Sequence, residues 1–344
     1  MTNRFLWRLK IFFVLVILTS FAGPVYVMMF GLPDFYDSPF QPMLNGVIGG
    51  AMYWGIELLF IPGRYGEVLR RMSFLPAIIS RTLGGVFIVI VTGPISLWIW
   101  SGVFDPMASF QAGPKLFLYV MCVVFFMFGQ LQILRVIGPR VLTNIVIGRY
   151  QRPVQEERIF LFLDIQGSTT MAEELGDLEV QELINRFFFD ITEPILEWGG
   201  EIHRYVGDEI VVTWPLGKGI AKARCLECCF AIRDRIKAKA HRYKELFGVV
   251  PEFRIGLHGG PVVASQCGDV KQEIVYFGDT VNTAARIEHY CKDVGRKLLI
   301  SEDLARQMPD QAIWKFENVG AVRLRGRSED MSLLAVERRD PSEP

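Results

Sequence analysis

Four long apolar stretches lie within the first 137 residues, and a water-soluble domain of this size cannot bury all of them. A helix needs about 20 apolar residues to cross the hydrocarbon core of a bilayer. A cleaved signal peptide would explain only the first stretch, and no small-residue cleavage site stands out after it. The sequence therefore predicts an α-helical membrane domain, residues 1–137, with four transmembrane helices at about residues 11–30, 46–62, 76–100 and 116–135.

Charged residues in the connections predict how these spans are oriented. Residues 1–150 carry 11 Lys and Arg but only 5 Asp and Glu. The basic residues concentrate before the first span, between the second and third, and after the fourth. The other two connections carry Asp34, Asp37 and Asp105, with Lys115 at one edge. Because Lys and Arg favour cytoplasmic connections, we expect a multi-pass protein of the cell inner membrane with both termini in the cytoplasm.

Glu57 is an acidic residue within the second predicted span. It either faces another helix as a buried polar site or reaches headgroup water from near the cytoplasmic end of its span. We expect the second arrangement. The membrane domain as a whole either binds an unidentified lipid or small molecule or serves only as an anchor.

A short connection, residues 138–157, follows the fourth span. Four apolar residues recur there at helical spacing: Val141, Leu142, Ile145 and Val146. Pro153 then stops any helix. The pattern predicts an amphipathic helix and an extended linker, which either transmit movement from the membrane or act as a passive tether.

The remaining residues have the composition of a water-soluble domain, with 26 basic and 32 acidic side chains after residue 150. The whole chain is 51% hydrophobic and 22% charged, which excludes a disordered protein. Its net charge of zero argues against a nucleic-acid partner. The six cysteines lack the ligand spacing of a zinc site, and the cytoplasm disfavours disulfides, so we expect packed, reduced thiols.

A first candidate site lies where a predicted strand ends. Residues 159–163 form a continuous apolar run, as expected of a strand buried on both faces, and Asp164 follows directly. The Gly-Ser-Thr turn after it, residues 167–169, begins a helix. An acid beside a helix N-terminus suits a metal ion and phosphate groups. The alternative is a simple capped helix with Ser168 or Thr169 as the N-cap.

A second candidate site lies at a predicted β-hairpin. Two alternating apolar strands in residues 201–214 flank a Gly207-Asp208 tip. If this hairpin pairs beside the first strand, Asp208 and Asp164 meet at one edge of the sheet. Mg²⁺ is bound by one or two carboxylates together with substrate phosphates. The alternative is that Asp208 is only a turn residue.

A third candidate site lies at the start of a predicted helix after Gly278. Asn282 and Arg286 are four residues apart and therefore share one helix face. Together they offer an amide and a fixed cation to one ligand. The alternative is an ordinary first turn with a solvated Arg286.

These segments together resemble the class III nucleotidyl cyclases, that is, the adenylyl and guanylyl cyclase catalytic domain. The matching segments are residues 162–169, 205–208, 256–260 and 278–286. The resemblance spans about residues 156–338 and says nothing about residues 1–137. It implies an α+β fold with a ferredoxin-like βαββαβ core, a catalytic domain over residues 158–338, and a short tail at residues 339–344. It also implies a head-to-tail homodimer with two sites at its interface.

The resemblance further implies roles for the candidate residues. Asp164 and Asp208, with the carbonyl of Ile165, would hold two Mg²⁺ or Mn²⁺ ions. Asn282 and Arg286 of the partner chain would orient the ribose and stabilise charge at the α-phosphate. Because one chain holds both halves of this composite site, self-association suffices and a monomer should be inactive.

Phosphate contacts follow from the same resemblance. Backbone amides after the first metal ligand would cradle the β- and γ-phosphates, at Gly167, Ser168 and Thr169. Arg325 matches a position where the family often has a phosphate-contacting Lys.

Two positions that read the base depart from the family's pattern. Arg204 stands where adenylyl cyclases usually carry Lys, and Val275 stands where they usually carry Asp or Thr. Arg204 could donate to adenine N1 or guanine O6, whereas the Val275 side chain cannot hydrogen-bond, so the adenine amino group would go unread or be bound by backbone or water. We expect a membrane-bound adenylate cyclase that converts ATP to 3′,5′-cyclic AMP and pyrophosphate. The alternatives are a guanylate cyclase, or a nucleotide-binding membrane receptor or scaffold with a weak or inactive cyclase domain. A diguanylate cyclase ranks lower, because the signature around residues 206–209 is incomplete.

Overall fold

The computed structural model forms two compact units, residues 1–143 and 144–344. It describes residues 3–31, 38, 40–61, 72–107, 110, 113–137, 147–309, 313–322 and 330–339. The predicted amphipathic helix at residues 141–146 lies outside the described residues, as does Arg325.

The first unit is helical throughout its described elements. Its helices are α1 (Asn3–Ser20), α2 (Ala22–Phe30), α3 (Gln41–Gly55) with a π-helical extension (Ile56–Phe60), α4 (Phe74–Ser101) and α5 (Gly113–Ile137). Four helical stretches among the described residues are long and apolar enough to cross a membrane: Leu9–Phe30, Gln41–Phe60, Leu75–Ser101 and Gly113–Leu131. They coincide with the four predicted spans, so the prediction of a four-span helical domain is confirmed.

The expected exposure of Glu57 to headgroup water is wrong. Glu57 lies in the π-helical extension of α3, and only 2% of its side chain is exposed. Its carboxylate accepts a hydrogen bond from Nε of Arg81 on α4, at 3.2 Å. The Arg81 guanidinium also lies 4.9 Å from the centre of the Phe128 ring on α5. A buried charge needs an opposite partner and hydrogen bonds, and Arg81 provides them here.

Removing one charge of this pair is expected to destabilise the helical unit. Glu57→Gln or Arg81→Met alone leaves the other charge buried without its partner, which costs about 3–5 kcal/mol in comparable cases. Thermal unfolding of the full chain in detergent should show a lower midpoint for each variant. The double variant Glu57→Gln/Arg81→Met removes both charges and should recover most of the loss. Single variants as stable as the native chain would show that the pair has no structural role.

The second unit has α+β architecture. Its strands are β1 (Val154–Ile165), β2 (Glu201–Val206), β3 (Glu209–Pro215), β4 (Phe253–Cys267), β5 (Glu273–Phe277), β6 (Leu298–Ser301), β7 (Trp314–Val322) and β8 (Met331–Arg338). Its helices are α6 (Ser168–Leu175), α7 (Asp177–Glu197), α8 (Leu216–Ile220), α9 (Arg224–Ala238), α10 (Ala240–Phe247), α11 (Asp279–Asp293) and α12 (Glu302–Ala305). Residues 154–157, which the sequence assigns to the linker, are the beginning of β1.

One sheet runs through this unit in the order β2-β3-β1-β4-β6-β8-β7, with β5 paired to β4. The spatial order of the first four strands is that of the predicted ferredoxin-like βαββαβ core, and the α+β prediction is confirmed. β1 lies inside the sheet, antiparallel to both β3 and β4. Its buried side chains alternate between two cores, since Leu161 packs with α7 and α9, whereas Phe160 packs with Ala284 of α11. Burial on both faces explains the continuous apolar run in the sequence.

Helix α11 lies very close to β4 at Gly256. A Cβ added there would stand 2.7 Å from the carbonyl oxygen of Ala284 and closer still to the backbone nitrogen of Glu288. Both atoms belong to the helix backbone, so a side chain at residue 256 cannot be accommodated by a rotamer change. Gly256 therefore sets the distance between the sheet and the helix that carries Asn282 and Arg286.

All six cysteines are free, as the sequence predicts. Four of them are packed, namely Cys225, Cys228, Cys229 and Cys291. Burial raises the pKa of Cys225 and of Cys291 to about 12, so both stay protonated thiols at neutral pH. Cys122 and Cys267 are exposed, so the expectation of packing is wrong for these two.

Candidate active site

Asp164 and Asp208 meet at one edge of the sheet. Asp164 stands near the end of β1, opposite Glu209 of β3, and Asp208 precedes Glu209 in the tight turn that joins β2 to β3. Gly207 in that turn has a φ of +60°, a left-handed conformation that favours glycine. Burial and the neighbouring Asp208 carboxylate raise the pKa of Asp164. The hairpin thus pairs beside β1 as the sequence predicts.

Arg254 is a site residue that the sequence reasoning missed. It lies opposite Asp164 in the β1–β4 register, and its Nη2 donates a hydrogen bond to Asp164 Oδ2 at 3.2 Å. Its Nε lies 3.5 Å from Oε1 of the buried Glu288 on α11. Arg254 lowers the pKa of Asp164 and so opposes the effect of burial. The sequence signal was a basic residue at the start of a strand, but only the strand register shows what it faces.

Two further carboxylates, those of Glu209 and Glu288, lie near the two acids. Burial, together with Glu288 and Asp164, raises the pKa of Glu209 to about 7. Burial and Asp164 also raise the pKa of Glu288, which pairs with His289 at 3.0 Å. Such crowded acids attract cations.

The donor set fits a divalent cation that is shared with phosphates. Among the described residues, no group of three or more His, Cys, Asp or Glu side chains is arranged to hold a metal ion. Two adjacent carboxylates are nevertheless what Mg²⁺ takes from a protein when substrate phosphates and water complete its octahedral shell. Asp164 and Asp208 match that arrangement, and the next residue along β1 adds the carbonyl of Ile165 at the same edge.

The loop after Asp164 ends at the N-terminus of α6. Gly167 occupies the N-cap position with a φ of +71°, and no side chain caps the helix. The alternative with Ser168 or Thr169 as the N-cap is therefore wrong. The first amides of a helix lack partners within it, so the amides of this turn can bind an anion. The amide of Gln166 is already used, because it donates to the carbonyl of Glu252 at 2.8 Å.

Asn282 and Arg286 lie on the first turns of α11. The helix start is held to β4 by the Thr280 hydroxyl, which donates to the carbonyl of Pro261 at 2.7 Å. Asn282 is exposed, and Arg286 is partly buried. Arg286 Nη1 is buried without a hydrogen-bond partner among the described residues. A buried guanidinium nitrogen without an acceptor is ready to bind an anionic ligand.

The proposed base-reading residues lie on β2 and β5, which do not pair with each other in the sheet. Arg204 is exposed on β2, directly after an irregularity in the β2–β3 register, and Val275 is partly buried on β5. The residues next to them in sequence, His203 and Tyr276, contact each other, with their ring centres 5.0 Å apart. Burial and the charge of Arg204 lower the pKa of His203 to about 4, so the imidazole is neutral at pH 7. The structure thus brings residues 204 and 275 into one region.

Within one chain, the described residues show no hydrogen bond or ion pair between the Asn282–Arg286 pair and the two acids. The two acids lie on β1 and in the β2–β3 turn, whereas Asn282 and Arg286 lie on α11.

Comparisons with known proteins identify the family. A family model described as the adenylate and guanylate cyclase catalytic domain matches residues 151–336. Adenylate cyclase 2 of Rhizobium meliloti (strain 1021) is 43% identical over 206 residues, which cover 60% of this chain and 57% of that protein. Adenylate cyclase 1 of the same organism is 30% identical over 190 residues, which cover 53% of this chain and 28% of that protein. The matched region of this chain thus spans 57% of the length of the first relative and 28% of the length of the second.

Solved structures agree on the fold. A bacterial light-regulated adenylyl cyclase superposes with a TM-score of 0.55 at 24% identity, over 63% of this chain and 64% of that one. The matched family model covers more than half of the sequence. The chain therefore belongs to the adenylate and guanylate cyclase catalytic domain family.

Proposed function

We propose that the protein is a membrane-bound adenylate cyclase that converts ATP to 3′,5′-cyclic AMP and pyrophosphate. The observation that carries this proposal is the pair of adjacent carboxylates, Asp164 and Asp208, at the sheet edge. The partnerless buried nitrogen of Arg286 supports it, because an anion is the expected acceptor. Two relatives named adenylate cyclases, at 43% and 30% identity, favour ATP as the substrate.

Two Mg²⁺ or Mn²⁺ ions would be held by Asp164, Asp208 and the carbonyl of Ile165. When bound, such ions supply activation of a hydroxyl nucleophile and neutralisation of the leaving phosphates. Arg254 already carries part of the charge compensation at Asp164 and keeps its carboxylate in place. The amides at the start of α6, from Gly167 to Thr169, would bind the β- and γ-phosphates, together with Arg325.

Asn282 and Arg286 would act on the reacting sugar and phosphate. The ribose 3′-oxygen attacks the α-phosphorus, the bond to pyrophosphate breaks, and the hydroxyl proton is released. Asn282, exposed at the start of α11, would hydrogen-bond the ribose and fix its orientation. The Arg286 guanidinium would stabilise the negative charge that builds on the α-phosphate oxygens.

A homodimer would complete the site. Among the described residues of one chain, no hydrogen bond or ion pair joins the Asn282–Arg286 pair to the two acids, which supports a site shared between two subunits. A two-fold axis then generates two identical sites. A monomer would hold both halves and complete neither.

The two base-reading residues do not fix whether the nucleotide is ATP or GTP. Arg204 can donate to adenine N1 or to guanine O6, and the Val275 side chain cannot hydrogen-bond. This observation favours a guanylate cyclase, or a nucleotide-binding receptor or scaffold with weak turnover, as the second candidate. The Arg side chain is longer than that of Lys and ends in a forked guanidinium, so Arg204 is not equivalent to a Lys at this position.

The proposed cellular location rests on the four apolar helices and on the charges of the segments that connect them. We infer an inner-membrane protein whose two termini lie in the cytoplasm, where ATP is available. The four apolar helices support membrane association, and the Lys and Arg distribution supports the orientation. The helical unit would serve as an anchor or bind a lipid or small molecule.

A nucleotide competition assay tests the proposed activity. The purified full chain is incubated with Mn²⁺ and equal concentrations of ATP and GTP, and cyclic AMP and cyclic GMP are quantified separately. Cyclic AMP should be the main product, and chelation of the divalent ion should stop its formation. Cyclic GMP as the main product would favour guanylate cyclase activity. Nucleotide binding with neither product would favour the receptor or scaffold.

A further inference from the structure

A cavity of about 290 Å³ opens on the catalytic unit, away from the residues assigned to catalysis. It lies between α9, α10 and the first residues of β4 and β6. Its wall is mainly apolar and includes Phe230, Ile236, Val250, Phe253 and Leu298. Pockets with apolar walls and a few polar groups are typical of small-molecule sites.

Two of the three cationic side chains that line this cavity have no acidic partner among the described residues. Arg233 and Lys237 are one turn apart on α9, and both are exposed. Neither has an acidic side chain within 4.0 Å in the part of the chain that the structure describes, whereas Lys297 pairs with Glu252 at 3.0 Å. The Arg233 guanidinium lies 4.6 Å from the centre of the Phe230 ring, so positive charge stands directly beside the apolar wall. The cavity is therefore complementary to a molecule with an apolar body and one negative charge.

Two hydrogen bonds connect the wall of the cavity to the part of the sheet that carries Asp164 and Asp208. Phe253 lines the cavity, and the next residue, Arg254, donates to Asp164. Glu252 also lines the cavity, and its carbonyl accepts the hydrogen bond from the Gln166 amide, at 2.8 Å. A ligand that displaces residues 252–253 would therefore move the loop that follows Asp164.

We propose that this cavity is a regulatory site for an anionic amphiphile, an apolar chain that ends in a carboxylate. The chain packs against the apolar wall and excludes water from it, which stabilises the complex in proportion to the apolar area covered. The carboxylate pairs with Arg233 and Lys237. Occupancy changes the cyclase rate by way of residues 252–253 and the loop after Asp164, so this regulatory step rests on the proposed function, whereas binding does not.

Labelled decanoate provides a direct binding test on the immobilised full chain in detergent. Unlabelled decanoate should displace the label, and decanol, which lacks the charge, should be at least tenfold weaker. The double variant Arg233→Met/Lys237→Met should lose at least tenfold in affinity. A matched control, Arg242→Met/Lys244→Met, removes the same charge from exposed positions of α10 and should bind like the native chain. Thermal unfolding of both double variants checks that they fold.

Two results would refute the proposed binding site. Equal displacement by decanoate and decanol would mean that charge is not recognised. Undiminished binding by the Arg233→Met/Lys237→Met variant would place the decanoate elsewhere, including in the detergent or the helical unit. For the regulatory step, decanoate should change cyclic AMP formation by the native chain and not by that variant. Binding at the cavity without any change in the native chain's turnover would refute regulation, and a native chain that makes no cyclic nucleotide would refute only the proposed function.

Discussion

Chains carrying Asp164→Ala and chains carrying Arg286→Ala should each be inactive alone, yet a mixture of the two should regain about a quarter of native activity. The first variant removes one of the two carboxylates proposed to hold the metal ions. The second removes the guanidinium proposed to stabilise the α-phosphate, and loss of one such group lowers turnover by roughly 100- to 1000-fold. In a mixed dimer, one site contains both substitutions and the other site contains neither. Random pairing makes about half of the dimers mixed, each with one intact site of two, which gives the expected quarter.

Cyclic AMP formation by the mixture, measured against each variant alone, checks this result. The matched control is a mixture of Asp164→Ala and Asp208→Ala chains, because both defects fall on the same half-site and no intact site can form. Light scattering should show that all variants still dimerise. A mixture that stays inactive while the variants fold and pair would rule out a site shared between subunits.

Gly256→Ala should damage both stability and turnover, although residue 256 contacts no substrate in the proposed mechanism. The added methyl group meets the backbone of α11 at Ala284 and Glu288, and backbone cannot move aside as a side chain can. Overpacking of this kind costs about 1–3 kcal/mol. Because α11 carries Asn282 and Arg286, its displacement should reduce cyclic AMP formation by more than tenfold, since small errors in position are costly in catalysis.

The measurements are the midpoint of thermal unfolding and the rate of cyclic AMP formation by the full chain. Gly217→Ala is the matched control, because an added Cβ at Gly217 meets no atom within 4 Å and the glycine has no positive φ. The control should keep native stability and activity. A Gly256→Ala chain that behaves like the control would show that α11 can move away from the sheet without loss.

Local pattern was sufficient to predict much of the catalytic unit. A continuous apolar run predicted β1, and a Gly-Asp tip between alternating strands predicted the hairpin that brings Asp208 to Asp164. These features depend on turn chemistry and on burial, and both can be inferred from the pattern of consecutive residues. The resemblance to cyclases supplied the roles of these residues, and the roles stay predictions.

Pairings between distant segments could not be read from the sequence. Arg254 is 90 residues from Asp164, and only the antiparallel register of β1 and β4 makes them neighbours. Glu57 was misplaced for the same reason, since its partner Arg81 lies on the next helix. The close approach at Gly256 likewise depends on how α11 packs on the sheet, and a lone glycine in a strand does not reveal what stands above it.

The Glu57–Arg81 pair makes the second and third spans depend on each other during biogenesis. The second span has the lowest mean hydropathy of the four, 1.2, and an acidic residue near its C-terminal end opposes the transfer of a lone helix into lipid. That penalty is relieved only when the neighbouring helix brings its guanidinium alongside, at 3.2 Å. In a bilayer, the two segments would therefore insert most favourably together, as a helical hairpin in which the charges are already paired.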